Sequence, residues 1–220
     1  MTRTLVCIHT LPLLVDEFER LGHAIIADLK MTHILDEPLL ARVQQANGIG
    51  PEEEERLASH IRLAHRVGAR AVLVTCSTLS PAIAGMRAKA PIPLIAIDEG
   101  MAALAVAKGE RIGVVATAES TMAPTRTLLM AQAAQSGRRI TLTMRHVAGA
   151  LELLLSGDRE VHDQLVKKAV EDIASEVEVV VLAQASMARV LDIMPEDERK
   201  VPLLSSPHIA LAEARDLLGR

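Results

Sequence analysis

Tryptophan and tyrosine do not occur among the 220 residues of this chain, and phenylalanine occurs once, as Phe18. Without aromatic platforms, a protein that stacks unpaired bases is excluded. Positive charge is not in excess either. Lys and Arg number 24 against 28 Asp and Glu, a net charge of -4, which argues against tracking a phosphate backbone. Cysteine appears only as Cys7 and Cys76, with no CxxC spacing, so neither a disulfide framework nor a zinc ribbon is expected. Charge-free runs are short. The longest, Ala71–Met86, holds Thr, Ser and Pro81 and is too short for a membrane span. The apolar run Leu5–Val15 is broken by Pro12 and followed at once by Asp16, Glu17 and Glu19, unlike a signal peptide. A reduced cytoplasmic location is therefore expected, with no nucleic-acid or membrane partner.

No Gly-x-Gly-x-x-Gly, P-loop, nucleophile elbow or zinc signature is present, so no cofactor is expected. His60 and His65 are five apart and would stand about 140° apart on a helix, which does not make a metal pair. Half the residues are apolar, so the core must be built from Leu, Val, Ile, Ala and Met.

What is present is alternation. Short apolar runs lie at Thr4–Ile8, Leu29–Leu35, Ala71–Thr75, Leu94–Ile97, Ile112–Ala116, Ile140–His146, Val179–Ala183 and Val201–Leu204, and most are continuous rather than alternating, which suits parallel strands covered on both faces. Helix-like segments separate them. In "GIGPEEEERLASHIRLAHRVG", Pro51 suits the first helical position and Glu52–Glu55 the positive end of the helix dipole. Leu57, Ile61 and Ala64 form a stripe, and Gly68 is a stop. The expected fold class is α/β, with mainly parallel sheets.

The chain also repeats itself. "RIGVVATA" follows "RTLVCIHT" by 108 residues, and Gln184 follows Cys76 by the same offset. Pro202 follows Pro93 by 109. Two pseudo-symmetric lobes follow, each a four-stranded sheet flanked by helices. The first is expected to comprise residues 1–97 plus 205–220, the second 98–204. Ligands of open α/β sheets bind beyond the carboxyl ends of strands. Four segments fall there: His9-Thr10, Cys76-Ser77-Thr78, Thr117 with Ser120 and Thr121, and Gln184-Ala185-Ser186. If the lobes face each other across a cleft, these converge, and hydroxyls with helix-start N–H groups suit a small carboxylate. The same setting is expected to lower the Cys76 pKa from its reference near 8.5.

"VLVTCSTLSP", "IGVVATAEST" and "VVVLAQASMA", in that order, resemble the first-cysteine motif, the second-lobe start and the second-cysteine position of the aspartate/glutamate racemase superfamily. Hydantoin racemase, arylmalonate decarboxylase and maleate isomerase belong to it. The resemblance covers essentially the whole chain. It implies a cofactor-independent isomerase that transfers a proton next to a carboxylate of a small amino-acid-like or hydantoin-like substrate. Cys76 would be catalytic, and His9, Thr10, Ser77, Thr78, Thr117, Ser120, Thr121, Gln184, Ala185 and Ser186 would contact substrate. A homo-oligomer is expected. The departure is Gln184, an amide that cannot serve as general acid or base where the family places its second cysteine. His9, His146 or His208 would have to replace that base for two-face racemisation. Otherwise a single-cysteine decarboxylase, a cis–trans isomerase or a non-catalytic carboxylate-binding relative is implied. Gln184 itself is either inert or a hydrogen-bond partner of substrate. His9 is a ligand contact or a satisfied structural histidine, and Ser77 and Thr78 are caps or carboxylate ligands. Cys7, inside a strand, reads as core.

Overall fold

The computed structural model describes residues 3–46 and 48–219. Among the described residues eight strands form: β1 (Arg3–His9), β2 (Leu29–Leu35), β3 (Ala71–Val74), β4 (Leu94–Ala96), β5 (Arg111–Ala116), β6 (Thr141–His146), β7 (Val179–Leu182) and β8 (Leu203–Ser205). Nine α-helices among the described residues are interleaved with them: α1 (Leu14–Ile25), α2 (Glu37–Gln45), α3 (Pro51–Arg66), α4 (Ser80–Met86), α5 (Glu99–Lys108), α6 (Glu119–Gln135), α7 (Ala150–Ser156), α8 (Arg159–Ile173) and α9 (Ser206–Leu218). The strands make two four-stranded sheets ordered β2-β1-β3-β4 and β6-β5-β7-β8, with every pairing parallel. No helix among the described residues is long and apolar enough to cross a membrane.

The expected strands appear where the apolar runs lie, with ends displaced by at most two residues. The last begins two residues late because Pro202 has no N–H to give the ladder. Its carbonyl still accepts from Val180 N–H at 2.9 Å, just as the Pro93 carbonyl accepts from Val72 N–H at 2.9 Å. Helix α3 starts at Pro51. Gly50 N–H donates to Glu53 Oε2 at 3.2 Å, and Leu57, Ile61 and Ala64 are buried. Beyond its end Gly68 takes φ +86, a left-handed turn that favours glycine.

The chain divides into two compact units, Met1–Glu99 with Pro207–Arg220, and Gly100–Ser206. In the first unit, Val6, Ile8, Val72 and Val74 pack against Leu39, Val43, Leu57 and Ile61 of α2 and α3. Asp36, buried just after β2, fastens those helices. Its carboxylate accepts from Leu39 N–H (3.1 Å), from Arg56 Nε and Nη2 (2.6 and 2.7 Å) and from His60 Nε2 (2.6 Å). Burial works against its charge, but these donors win and hold the carboxyl below the usual range. The closing helix α9 belongs to this unit, where Arg70 Nη1 donates to Leu218 O at 3.2 Å.

In the second unit, Val115, Val180 and Leu182 pack against Val166, Val170 and Ile173 of α8. A Cβ at Gly113 would stand 2.8 Å from Ile173 Cδ1, so glycine there lets α8 sit close to the sheet.

The pairings correct the repeat by one residue in its first strand. Leu5 stands against Ala71, and Ile112 against Val179. The counterpart of Leu5 is thus Ile112, and Thr10 corresponds to Thr117 rather than to Ala118. The match of "RTLVCIHT" with "RIGVVATA" shared an arginine and apolar pattern, neither of which fixes register.

Candidate functional site

Strand β3 runs into Thr75 and Cys76, then a short 3-10 turn at Ser77–Leu79, then α4. The helix expected to present N–H groups directly after Cys76 is therefore one tight turn followed by a seven-residue helix. Cys76 is buried, with 8% of its surface exposed. Burial pushes its thiol pKa up, and hydrogen bonds to sulfur from the Thr10 side chain, Thr78 N–H, Leu79 N–H and the Thr78 side chain pull it part of the way back. The expectation of a lowered pKa is thus overturned, because desolvation of the thiolate outweighs the donors. Cys76 is a thiol at neutral pH whose thiolate already has donors in place.

Two groups that the sequence did not single out complete this region. Ser80 Oγ donates to Asp98 Oδ1 at 2.6 Å. Asp98 Oδ2 and Ser77 Oγ are buried with no hydrogen-bond partner, although Ser77 is near enough to help hold the carboxyl down. Burial dominates, and raises the Asp98 pKa to about 6. Asp98 ends an apolar run, and nothing in that pattern signals a buried carboxyl.

His9 is fully buried. Its Nδ1 meets Thr75 Oγ1 at 2.8 Å, and its Nε2 meets His33 Nδ1 at 2.8 Å. Burial, then the neighbouring His33, depress its pKa to about 3. Both ring nitrogens are engaged inside the lobe, which leaves none for a substrate. Cys7, His9 and His33 are the residues that could together hold a metal ion among those described.

In the second unit, β7 runs into Ala183 and Gln184, and a 3-10 turn spans Ala185–Leu191. Gln184 Oε1 accepts from Thr117 N–H at 2.6 Å, Thr117 Oγ1 at 3.1 Å and Ala118 N–H at 3.0 Å. Two of these donors are backbone amides, so the oxygen, not the nitrogen, must face them. The two N–H groups just before α6 are thus held by an internal amide oxygen. Ala185 and Ser186 are buried, with Ser186 Oγ unpartnered, and Thr121 is buried in the first turn of α6, where Ser120 precedes it. His146 cannot stand in as a free base. Its Nε2 lies 3.3 Å from Thr117 O and its Nδ1 2.9 Å from Glu119 Oε2. His208 is exposed on the first turn of α9. The turn after Gln184 is anchored through Arg189, whose Nη2 lies 3.1 Å from Asp163 Oδ2, itself beside the buried His162.

Chains of this architecture are known. The aspartate racemase of Picrophilus torridus superposes with a TM-score of 0.74 at 11% identity, over 98% of this chain and 94% of its own. Allantoin racemase from Klebsiella pneumoniae gives 0.73 at 16% identity, over 98% and 87%. Arylmalonate decarboxylase gives 0.63 at 20% identity, over 98% and 92%. At these identities the likeness establishes the fold alone. No curated protein matches by sequence. The family model for Asp/Glu/Hydantoin racemases matches residues 27–214, and the chain therefore belongs to the Asp/Glu/Hydantoin racemase family.

Proposed function

We propose that the protein is an isomerase that moves a proton at the carbon next to a carboxylate, with the Cys76 thiol as its acid and base. The substrate class is a small amino-acid-like or hydantoin-like acid. The observation that carries this reading is the setting of Cys76: a buried thiol whose sulfur faces the Thr10 and Thr78 side chains and the N–H groups of Thr78 and Leu79. Burial keeps the thiol protonated at rest, and the donors stabilise the thiolate once its proton has left. The thiol first gives its proton to solvent; the thiolate then removes the α-proton, the C–H electrons pass to the carboxylate as an enediolate, and a proton returns to the same carbon, from the thiol on one face or from water on the other. Donors aimed at the developing oxyanion would supply the largest share of the acceleration. Ser77 and Thr78 are the proposed carboxylate contacts of the first lobe. Thr117, Ser120, Thr121, Ala185 and Ser186 remain the candidate contacts of the second, where Gln184 has only N–H groups left to offer. The test is the optical rotation of enantiopure amino acids and hydantoins. Wild type is expected to abolish it for at least one substrate, and Cys76→Ala to leave it unchanged. Decay that survives in Cys76→Ala would overturn the role of Cys76.

A second reading has its own observation. Gln184 Oε1 is saturated by three donors, and an amide carries no exchangeable base. A single thiol suits chemistry at one face: protonation of the enediolate left by loss of carbon dioxide, or thiolate addition to a cis-alkene followed by rotation and release. Carbon dioxide evolved from a substituted malonate with one enantiomer formed, or conversion of a cis-alkenedioate to its trans form, would favour it. Both assays should fail in Cys76→Ala.

A further inference from the structure

A cluster in the first lobe has no part in the reading of Cys76. Val6, Ile8, Val72, Val74 and Ile34 share one packed face of the sheet with Cys76. Strand alternation places Cys7, His9 and His33 on the opposite face, where the Phe18 ring of α1 lies 5.5 Å from His9. Cys7 and His33 are direct partners across β1 and β2, and His9 is two residues further along. The Cys7 sulfur and one nitrogen of each imidazole all lie within 4.8 Å of one another.

The hydrogen-bond directions give this cluster a polarity. Thr75 Oγ1 donates to Ile8 O at 3.1 Å, so the proton of the Thr75–His9 contact belongs to His9 Nδ1. The lone pair of His9 Nε2 therefore points at His33 Nδ1, 2.8 Å away. On the far side, His33 Nε2 is 3.0 Å from Glu19 Oε1, where an ionised carboxylate accepts. Each imidazole thus has its outer nitrogen oriented by an oxygen and its inner nitrogen turned toward the other ring, with a nitrogen of each within 4.8 Å of the Cys7 sulfur. Outer oxygens in this arrangement fix the tautomer of metal-ligating histidines. We propose that Cys7, His9 and His33 bind a borderline-soft divalent cation of the zinc class through one thiolate and two imidazoles, with water in the fourth position.

The second lobe is an internal control for this assignment. By strand register, its counterparts of Cys7, His9 and His33 are Val114, Ala116 and Met144, which carry no ligand atoms suited to zinc. The fold does not require polar groups at these positions. A tetrahedral site with bonds of about 2.0 Å to nitrogen separates its ligands by roughly 3.3 Å. The two rings would have to part by a few tenths of an ångström. His33 sits on the edge strand β2 with 13% of its side chain exposed, which gives it room to shift and gives the ion a way in. Binding releases the Cys7 thiol proton and the proton shared between His9 Nε2 and His33 Nδ1 to solvent, with no change of oxidation state. Without a cation, burial and the nearby Glu19 charge keep the Cys7 thiol protonated.

The test is a titration of chelator-treated full-length protein with cobalt(II), followed by zinc(II). A thiolate-to-cobalt charge-transfer band saturating at one equivalent and abolished by zinc is expected. The band should persist in Cys76→Ser and be lost in Cys7→Ser and His33→Asn. Cys7 is a core residue, so where Cys7→Ser fails to fold, His33→Asn at the sheet edge decides. Zinc should raise the melting temperature of wild type and not that of His33→Asn. Absence of the band in wild type, its loss in Cys76→Ser, or its survival in His33→Asn would overturn the proposal.

Discussion

The two lobes share a strand order and differ in what each sets at the same turn. In each, the central strand ends beside a threonine, Thr10 after β1 and Thr117 after β5. In each, that threonine hydrogen-bonds the residue just beyond the third strand. In the first lobe this residue is Cys76, whose sulfur is an acid with donors waiting for its thiolate. In the second it is Gln184, whose oxygen already holds Thr117 and Ala118. One architecture thus presents a group that can change its charge and a group that cannot. A second contrast lies at the sheet edges. Asp36 pins the first lobe through Arg56, His60 and Leu39 N–H, whereas its counterpart Val147 packs against the apolar cluster of the second. At this position the first lobe is held by charge and the second by apolar packing.

Substitutions can break this comparison. Cys76→Ala should lower turnover about 10³-fold, the scale of removing a general acid–base, while Gln184→Ala should cost at most about tenfold. Equal losses from steady-state assays would erase the distinction. Asp36→Ala should destabilise the protein by about 2–3 kcal/mol in urea unfolding at neutral pH, since a helix cap and a paired buried charge go together. The folded-state pKa of Asp36 is depressed, so this contribution is present above its unfolded pKa and lost as pH falls through the lower folded value. Val147→Ala should show no such pH dependence.

Asp98 has the opposite sign. Its folded pKa, raised to about 6 by burial, means that the native state binds the proton more tightly than the unfolded chain. Stability is favoured below the unfolded value near 3.8 and lost as pH rises to about 6. Asp98→Asn keeps an acceptor for Ser80 and adds a donor near Ser77, and should stabilise by about 2 kcal/mol at pH 8, with little change at pH 4. The smallest effect sharpens the pairing of threonines. Thr10→Val removes one donor from the Cys76 thiolate, worth about 1 kcal/mol, and should slow iodoacetamide alkylation at pH 8 about fivefold. Thr117→Val should leave that rate unchanged.

Most strands were legible because parallel strands buried on both faces read as unbroken apolar runs, and α3 because Pro51, its acidic start and Gly68 are local signals. The register of the repeat was less so. Arg3 and Arg111 look equivalent in sequence, but only backbone pairing shows that Thr10 matches Thr117. The Cys76 turn was found by its position at a strand end, and its raised pKa was not, since burial is a tertiary quantity. The cluster of Cys7, His9 and His33 is invisible to spacing rules because its members sit on two strands 26 residues apart by register, as Cys7 against His33 shows. Asp98 lacked any local signal. Asp36 had one, as a cap residue before α2, but its partners Arg56 and His60 come from the next helix.

The most direct test of the central claim is proton NMR of amino acids and hydantoins in deuterated water, with wild type and Cys76→Ala side by side. The account predicts that the α-proton signal of at least one substrate disappears with wild type as deuterium replaces it, and stays intact with Cys76→Ala. Exchange that continues at the wild-type rate in Cys76→Ala would contradict it.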